Sequence, residues 1–175
     1  RDVFSTVYSD DEEGGHFAAL AMKDRGRKDI VAVLGPQDNP AVVDRLRGYR
    51  AVLGEDLPDA NVIYTGWNSG DGYQAMHQIL AREIAFDGVL CGSDRIAAGV
   101  ITALNEADLS VPADVSVVGF DDHEIATRCV PALTTVRQPL REEGHMAANI
   151  ALDMIKGAEP TTTVMHMQLV QRDSL

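Results

Sequence analysis

The sequence is short of several things, and each shortage closes off a class of protein. No apolar run approaches the roughly 20 residues needed to cross a bilayer, so no membrane span is expected. Only two cysteines occur, Cys91 and Cys129, and their spacing suits neither a metal site nor a redox pair. Cys91 ends an apolar run, where a small buried thiol is expected, and reduced thiols make the cytoplasm the expected compartment. Basic residues are scarce: 15 Lys and Arg face 27 Asp and Glu, for a net charge of −12. A surface that acidic, with no basic stripe, repels phosphate backbones, so these 175 residues alone are not expected to bind nucleic acid.

Catalytic signatures are missing too. There is no Ser in a Gly-x-Ser-x-Gly turn, and the histidines are scattered at His16, His77, His123, His145 and His166. Asp121, Asp122, His123 and Glu124 are adjacent residues that cannot all aim at one ion from an extended strand end. No catalytic residue, metal site or cofactor is therefore expected, and the chain is not read as an enzyme. Internal repeats and low-complexity segments are absent. Arg1 is followed at once by strand-like sequence, with no initiator Met and no charged-then-apolar leader, which reads as a fragment beginning mid-structure.

What is present is a regular alternation. A chain of 175 residues suits one domain or two small lobes, and can bury roughly 70% of its unfolded surface. Apolar runs at Val3–Tyr8, Ile30–Leu34, Val62–Thr65, Gly88–Cys91 and Val115–Val118 read as strands. Between them lie helical patterns over 12–25, from Val42 to Leu53 after a loop over Gly35–Pro40, from Tyr73 to near Ile84, and over 94–106. Ser9 or Asp10 is expected to cap the first helix. A last helix spans Leu140–Lys156, with Met146, Ala147, Ile150 and Met154 expected in the core, and Thr162–Val170 alternates as one edge strand. Strand and helix in alternation predict an α/β fold, a parallel doubly wound sheet with helices on both faces.

In such a sheet the loops after the strands gather on one rim, which brings Asn39, Trp67, Ser93 and Asp121 together, with Arg45 close enough to point into the same crevice. Each residue has a second reading. Asp121 or Asp122 could cap a turn near His123, Trp67 could pack against a neighbouring element, Arg45 could pair with Asp44 or Asp56, and Ser93 could be a helix cap. The glycine-rich stretch Gly66–Gly72 reads as a loop, without the glycine spacing or Lys-Ser/Thr ending of a phosphate loop.

The ordered stretches GRKDIVAVLGP, RLRGY, FDGVLCGSDRIAAGVITAL, VPADVSVVGFDD and PALTTVRQP resemble the effector-binding core of the lactose- and galactose-repressor (LacI/GalR) family of bacterial transcription regulators. The resemblance spans nearly the whole chain and implies a two-lobed, periplasmic-binding-protein-like sensor fold, of which 1–175 holds mainly the carboxyl-terminal lobe. Carried over, the family's effector contacts fall on Asn39, Arg45, Trp67, Ser93, Asp121 and Gln138. In sugar-binding members the Arg and Asp grip ring hydroxyls and an aromatic covers the apolar sugar face; many members carry Asn or another polar residue where Ser93 stands. The implied partners are a small-molecule effector, with a sugar favoured over a purine, a second copy of the chain met through Ile125–Val130, and operator DNA reached only through a helix-turn-helix headpiece. That headpiece and the first half of the amino-terminal lobe are absent before Arg1, and about 138–156 would return toward the missing lobe. The alternative is a periplasmic sugar-binding protein of a transport system.

Overall fold

The computed structural model describes residues 4–82 and 84–175. Along the chain run β1 (Thr6–Ser9), α1 (Asp11–Asp24), β2 (Ile30–Leu34), α2 (Pro40–Leu53), β3 (Val62–Tyr64), α3 (Ser69–Leu80), β4 (Gly88–Cys91), α4 (Asp94–Glu106), β5 (Ser116–Asp121), a one-turn α5 (Ile125–Arg128), β6 (Thr134–Arg137), α6 (Leu140–Ile155), β7 (Thr162–Met165) and β8 (Gln168–Val170). Six strands form one sheet in the order β3-β2-β4-β5-β6-β8, and β1 pairs with β7 in a separate parallel ribbon. Only β8, beside β6, runs antiparallel in the larger sheet. The expected doubly wound α/β architecture is what forms.

Its two helical layers follow from the period-two pattern of fully buried strands. On β2, Ile30, Ala32 and Leu34 face α1 and α2 in one apolar cluster, while Val31 and Val33 face α3 and α4 in the other. The α1–α2 crossing is tight because glycine lines it. A Cβ on Gly15 would lie 2.3 Å from the Arg45 carbonyl oxygen, and one on Gly48 would lie 2.1 Å from that of Glu12. No helix among the described residues is long and apolar enough to cross a membrane.

Several expectations need correction. β5 does not stop at Gly119 but runs on to Asp121; glycine is required there because a Cβ would meet Asp94 Oδ1 at 2.3 Å and Leu133 Cδ2 at 2.7 Å. The second half of Gly66–Gly72 is helix. α3 starts at Ser69 because Asn68 and Asp71 form a reciprocal capping box, and it ends at Leu80, short of Ile84. The first strand begins at Thr6, and Val3 lies outside the described residues.

The single edge strand expected over Thr162–Val170 is two strands in two sheets. β7 pairs with β1, and after His166 and Met167 the chain enters the larger sheet as β8. Nor do Met146, Ala147, Ile150 and Met154 form core: no residue of α6 is buried, and Met146 is 38% exposed. Among the described residues the helix rests mainly on β1, a surface too narrow to cover its apolar stripe.

The β1–β7–α6 unit joins the six-stranded unit at three crossovers, with carboxylate hydrogen bonds beside them. Ser9 Oγ donates to Glu143 at 2.9 Å, and the Met167 amide donates to Glu13 at 2.9 Å, with the His166 ring 3.0 Å from the same carboxylate.

Candidate functional site

In the strand order, β2 is followed by β3 on one side and β4 on the other, so the direction of winding reverses between β2 and β4. Open α/β sheets bind ligands at the carboxyl ends of strands at such a point. Here the strand ends touch: a Cβ on Gly92, just after β4, would lie 3.1 Å from the Gly35 nitrogen just after β2.

Arg45 stands at this place. It projects from the second turn of α2, and α1 lies close enough that Arg45 Nε donates to Asp11 Oδ1 at 2.8 Å. Nη1 donates to the Gly92 carbonyl, Nη2 sits 3.7 Å from Asp121 Oδ1, and the guanidinium carbon lies 3.7 Å from the centre of the Phe120 ring. The residue is 4% exposed. A charge so deeply placed is tolerable only with such partners. Asp44, a possible partner from sequence, is taken by Arg47 at 2.8 Å.

Asp121 reaches Arg45 through an unusual backbone. Strand alternation would send it toward the α4 layer, but its φ of 105° breaks the pleat, and Asp122 follows at φ 53°. The Gln138 side-chain amide donates to Asp121 Oδ1. Burial raises the Asp121 pKa, opposed by Arg45 and by the Gln138 hydrogen bond.

Asp122 is held on the other side. Arg137 Nε donates to its Oδ2 at 2.6 Å and Arg172 to its Oδ1; burial works against ionisation, but these two cations prevail and the pKa is lowered. Neither aspartate caps the turn near His123. That amide donates instead to Asp94 Oδ2 at 2.6 Å, while Thr135 Oγ1 donates to Asp94 Oδ1 at 2.5 Å. Asp94 has no exposed surface, and burial pushes its pKa up to about 7 against those two hydrogen bonds.

The six residues anticipated for the site all lie on this rim, but not in one contact set. Arg45, Asp121 and Gln138 touch. Ser93 adjoins Gly92 and caps α4, accepting from the Ile96 amide at 3.2 Å with 4% of its surface exposed. Trp67 is half-buried, and its ring lies where a Gly35 Cβ would be, 2.4 Å from that position. Asn39 turns its oxygen back to cap α2, accepting from the Ala41 amide at 3.0 Å.

Beside Asp121 a cleft of about 430 Å³ opens, lined in part by Gln138, Leu140, Glu142, His166 and Gln168. Among the described residues no group of His, Cys, Asp or Glu is arranged to hold a metal ion, and no buried side-chain polar atom lacks a hydrogen-bond partner. Sequence reasoning missed Asp11, Asp94, Phe120, Arg137 and Arg172. Asp11 sits in an acidic first helical turn that suits the helix dipole, and nothing in that run marks it as the one meeting Arg45.

Residues 19–175 match the model of the periplasmic binding protein-like domain. The repressor PurR of Salmonella arizonae is 36% identical over 99% of this chain and 52% of its own length, and PurR of Escherichia fergusonii is 35% identical over the same shares. The chain thus spans about half the length of the curated relatives it matches. Among solved structures, the cellobiose complex of the transcriptional regulator CelR superposes with a TM-score of 0.92 at 34% identity, covering 98% of this chain and 54% of that one. A LacI-family regulator of Enterococcus faecalis with bound ribose gives 0.90 at 29% identity, covering 99% and 64%. With switch-point topology, a buried Arg45 beside a partly exposed Asp121 and these likenesses together, the chain belongs to the periplasmic-binding-protein-like family, as an effector-binding domain of the LacI type.

Proposed function

We propose that this chain is the effector-sensing part of a LacI-family transcriptional repressor, and that the effector is a small sugar held at the β2–β4 rim by Asn39, Arg45, Trp67, Ser93, Asp121 and Gln138. The observation that carries the reading is Arg45, buried yet aimed at the switch point and bracketed by Asp11, Asp121 and the Gly92 carbonyl. A guanidinium fixed in that way, beside a carboxylate with an open face, presents donors and acceptors to hydroxyl groups. Trp67 offers an apolar ring face on the same rim. The sugar preference is further supported by the ribose and cellobiose bound in the two similar regulators.

Effector bound here stabilises one arrangement of the six-stranded unit relative to whatever covers the rim. A differential affinity of a few kcal/mol between two arrangements is enough to shift a repressor's hold on its operator. Operator DNA is contacted by a headpiece elsewhere in the protein, since these residues carry a net charge of −12. The working state is a cytoplasmic homodimer, with Ile125–Val130 at the contact: Val130 is 81% exposed on that edge. The transport alternative has less support, since each relative named above is a regulator.

The test is a titration of the intact protein with D-ribose, cellobiose and a free purine base, followed through Trp67 fluorescence and operator retention. A saturable sugar response that also moves the operator equilibrium is expected. Response to the purine alone overturns the sugar reading, and response to none of the three overturns both.

A further inference from the structure

Arg45 is the deepest cation on the rim, and its charge is already spent within the protein. Nε is held by Asp11 at 2.8 Å, and Nη2 faces Asp121 at 3.7 Å. Phe120 covers one face of the guanidinium, and Nη1 is turned to the Gly92 carbonyl. Two carboxylates therefore surround one guanidinium. The next cations along the rim, Arg137 and Arg172, outnumber Asp122 by one, but both are turned to that carboxylate and Arg137 is half exposed, so water screens the surplus before it reaches Arg45. Arg141 lines the outer cleft, but it is exposed and followed directly by Glu142 and Glu143.

The position of Asp11 is not accidental to the fold. The glycine-lined crossing of α1 on α2 leaves no room between Gly15 and the Arg45 backbone, or between Gly48 and Glu12. That close approach sets the first turn of α1 against the Arg45 side chain, and Asp10, by capping α1 through the Glu13 amide at 2.9 Å, fixes where Asp11 points. Asp11 keeps 19% of its side chain exposed, so its field acts on the rim as well as on Arg45.

We propose that Asp11 is a specificity-determining residue of the effector site: by neutralising Arg45 together with Asp121, it restricts the site to uncharged, hydroxyl-bearing effectors and excludes their phosphorylated forms. The proposal rests on the reading of the Arg45–Asp121 pair as the effector site. An anionic group brought to the rim meets a net negative cluster in a half-buried setting, where a single like charge a few ångströms away outweighs any one hydrogen bond. A neutral hydroxyl meets oriented donors and acceptors at no such cost.

Inorganic phosphate is the probe, titrated by calorimetry into the intact wild-type protein, Asp11→Asn and Asp11→Ser. Both substitutions remove the charge while leaving an oxygen that can accept from Arg45 Nε, and thermal melting establishes which of them is folded. The expected result is that folded variants bind phosphate at least about tenfold more tightly than wild type, and that a further Arg45→Met change abolishes the gain. Wild-type affinity within threefold of the variants, whether all bind or none does, overturns the proposal. So does a gain that survives Arg45→Met but is removed by Arg141→Ala, since the anion would then sit in the outer cleft. No sugar enters the experiment, so its outcome stands apart from that of the sugar titration.

Discussion

The six-stranded unit and the β1–β7–α6 unit share one chain and are built to different standards. In the first, β2 and β4 have every residue buried, and two helix layers close over the sheet. In the second, a two-stranded ribbon carries one helix, α6 has no buried residue, and Phe4, Leu152 and Ile155 are 76%, 55% and 82% exposed. The difference shows where apolar burial is concentrated and which unit carries the proposed site. Arg45, Asp94 and Asp121 are mounted on the closed unit, whereas Gln138 and His166 lie on the crossovers to the open one. A ligand at Asp121 would therefore meet the closed unit and the joints at once.

The largest expected effect comes from breaking the closed unit at its charged centre. Arg45→Ala leaves Asp11 and Asp121 without their shared cation and strips the Phe120 ring of its cover. A loss of about 3–5 kcal/mol is expected from removing one partner of a buried pair, read from urea unfolding. A loss under about 1 kcal/mol would mean that the carboxylates are hydrated and the pair is not buried in solution. Next comes Leu104→Ala on α4, at a fully buried position, with an expected cost of about 2–5 kcal/mol.

Asp94 gives the comparison a pH axis. Its folded-state pKa of about 7 lies above the ordinary value of 3.8, so the folded protein binds a proton more readily than the unfolded chain does. Stability from this residue is therefore gained as pH falls through 7 and is complete near 4. Between pH 7 and 5.5 the gain is on the order of 1–2 kcal/mol. Asp121 and Asp11 are shifted in the same direction, and Asp122 in the opposite one with its effect below pH 4. Asp94→Asn should flatten the 5.5–7 window in thermal melts at several pH values, and an unchanged slope would remove Asp94 as its source.

The smallest effect belongs to the open unit. Ile155→Ser is expected to change the stability of the chain by no more than about 0.5 kcal/mol, while amides of α6 exchange faster than those of β2 and β4. A cost as large as that of Leu104→Ala would show that α6 is covered in solution.

What was legible in the sequence follows the same division. β2, β4 and α4 were located to the residue because their apolar runs are continuous and bounded by glycine, aspartate or a serine cap. α6 carries an equally good amphipathic pattern, but periodicity reports a face that wants burial, not the presence of something to bury it. Thr162–Val170 alternates throughout, and nothing in that alternation reveals that the chain changes sheets at His166 and Met167. For the site, Arg45, Asp121 and Gln138 were placed together by topology and resemblance, and they do touch. The aspartates were harder: Asp121 and Asp122 look interchangeable in sequence, and only positive φ angles separate one facing Arg45 from one clamped by Arg137 and Arg172. Asp11 and Asp94 escaped notice because a carboxylate in a first helical turn is already accounted for by the helix dipole.

The central claim is that the Arg45–Asp121 pair binds the effector. The most direct test is to titrate wild type and Asp121→Asn with the sugar that saturates the wild-type Trp67 signal. Asn keeps the shape and one acceptor but loses the charge, so affinity should fall by about tenfold or more while the urea midpoint moves little. Equal affinity in the two proteins would contradict the account and place the effector elsewhere on the rim.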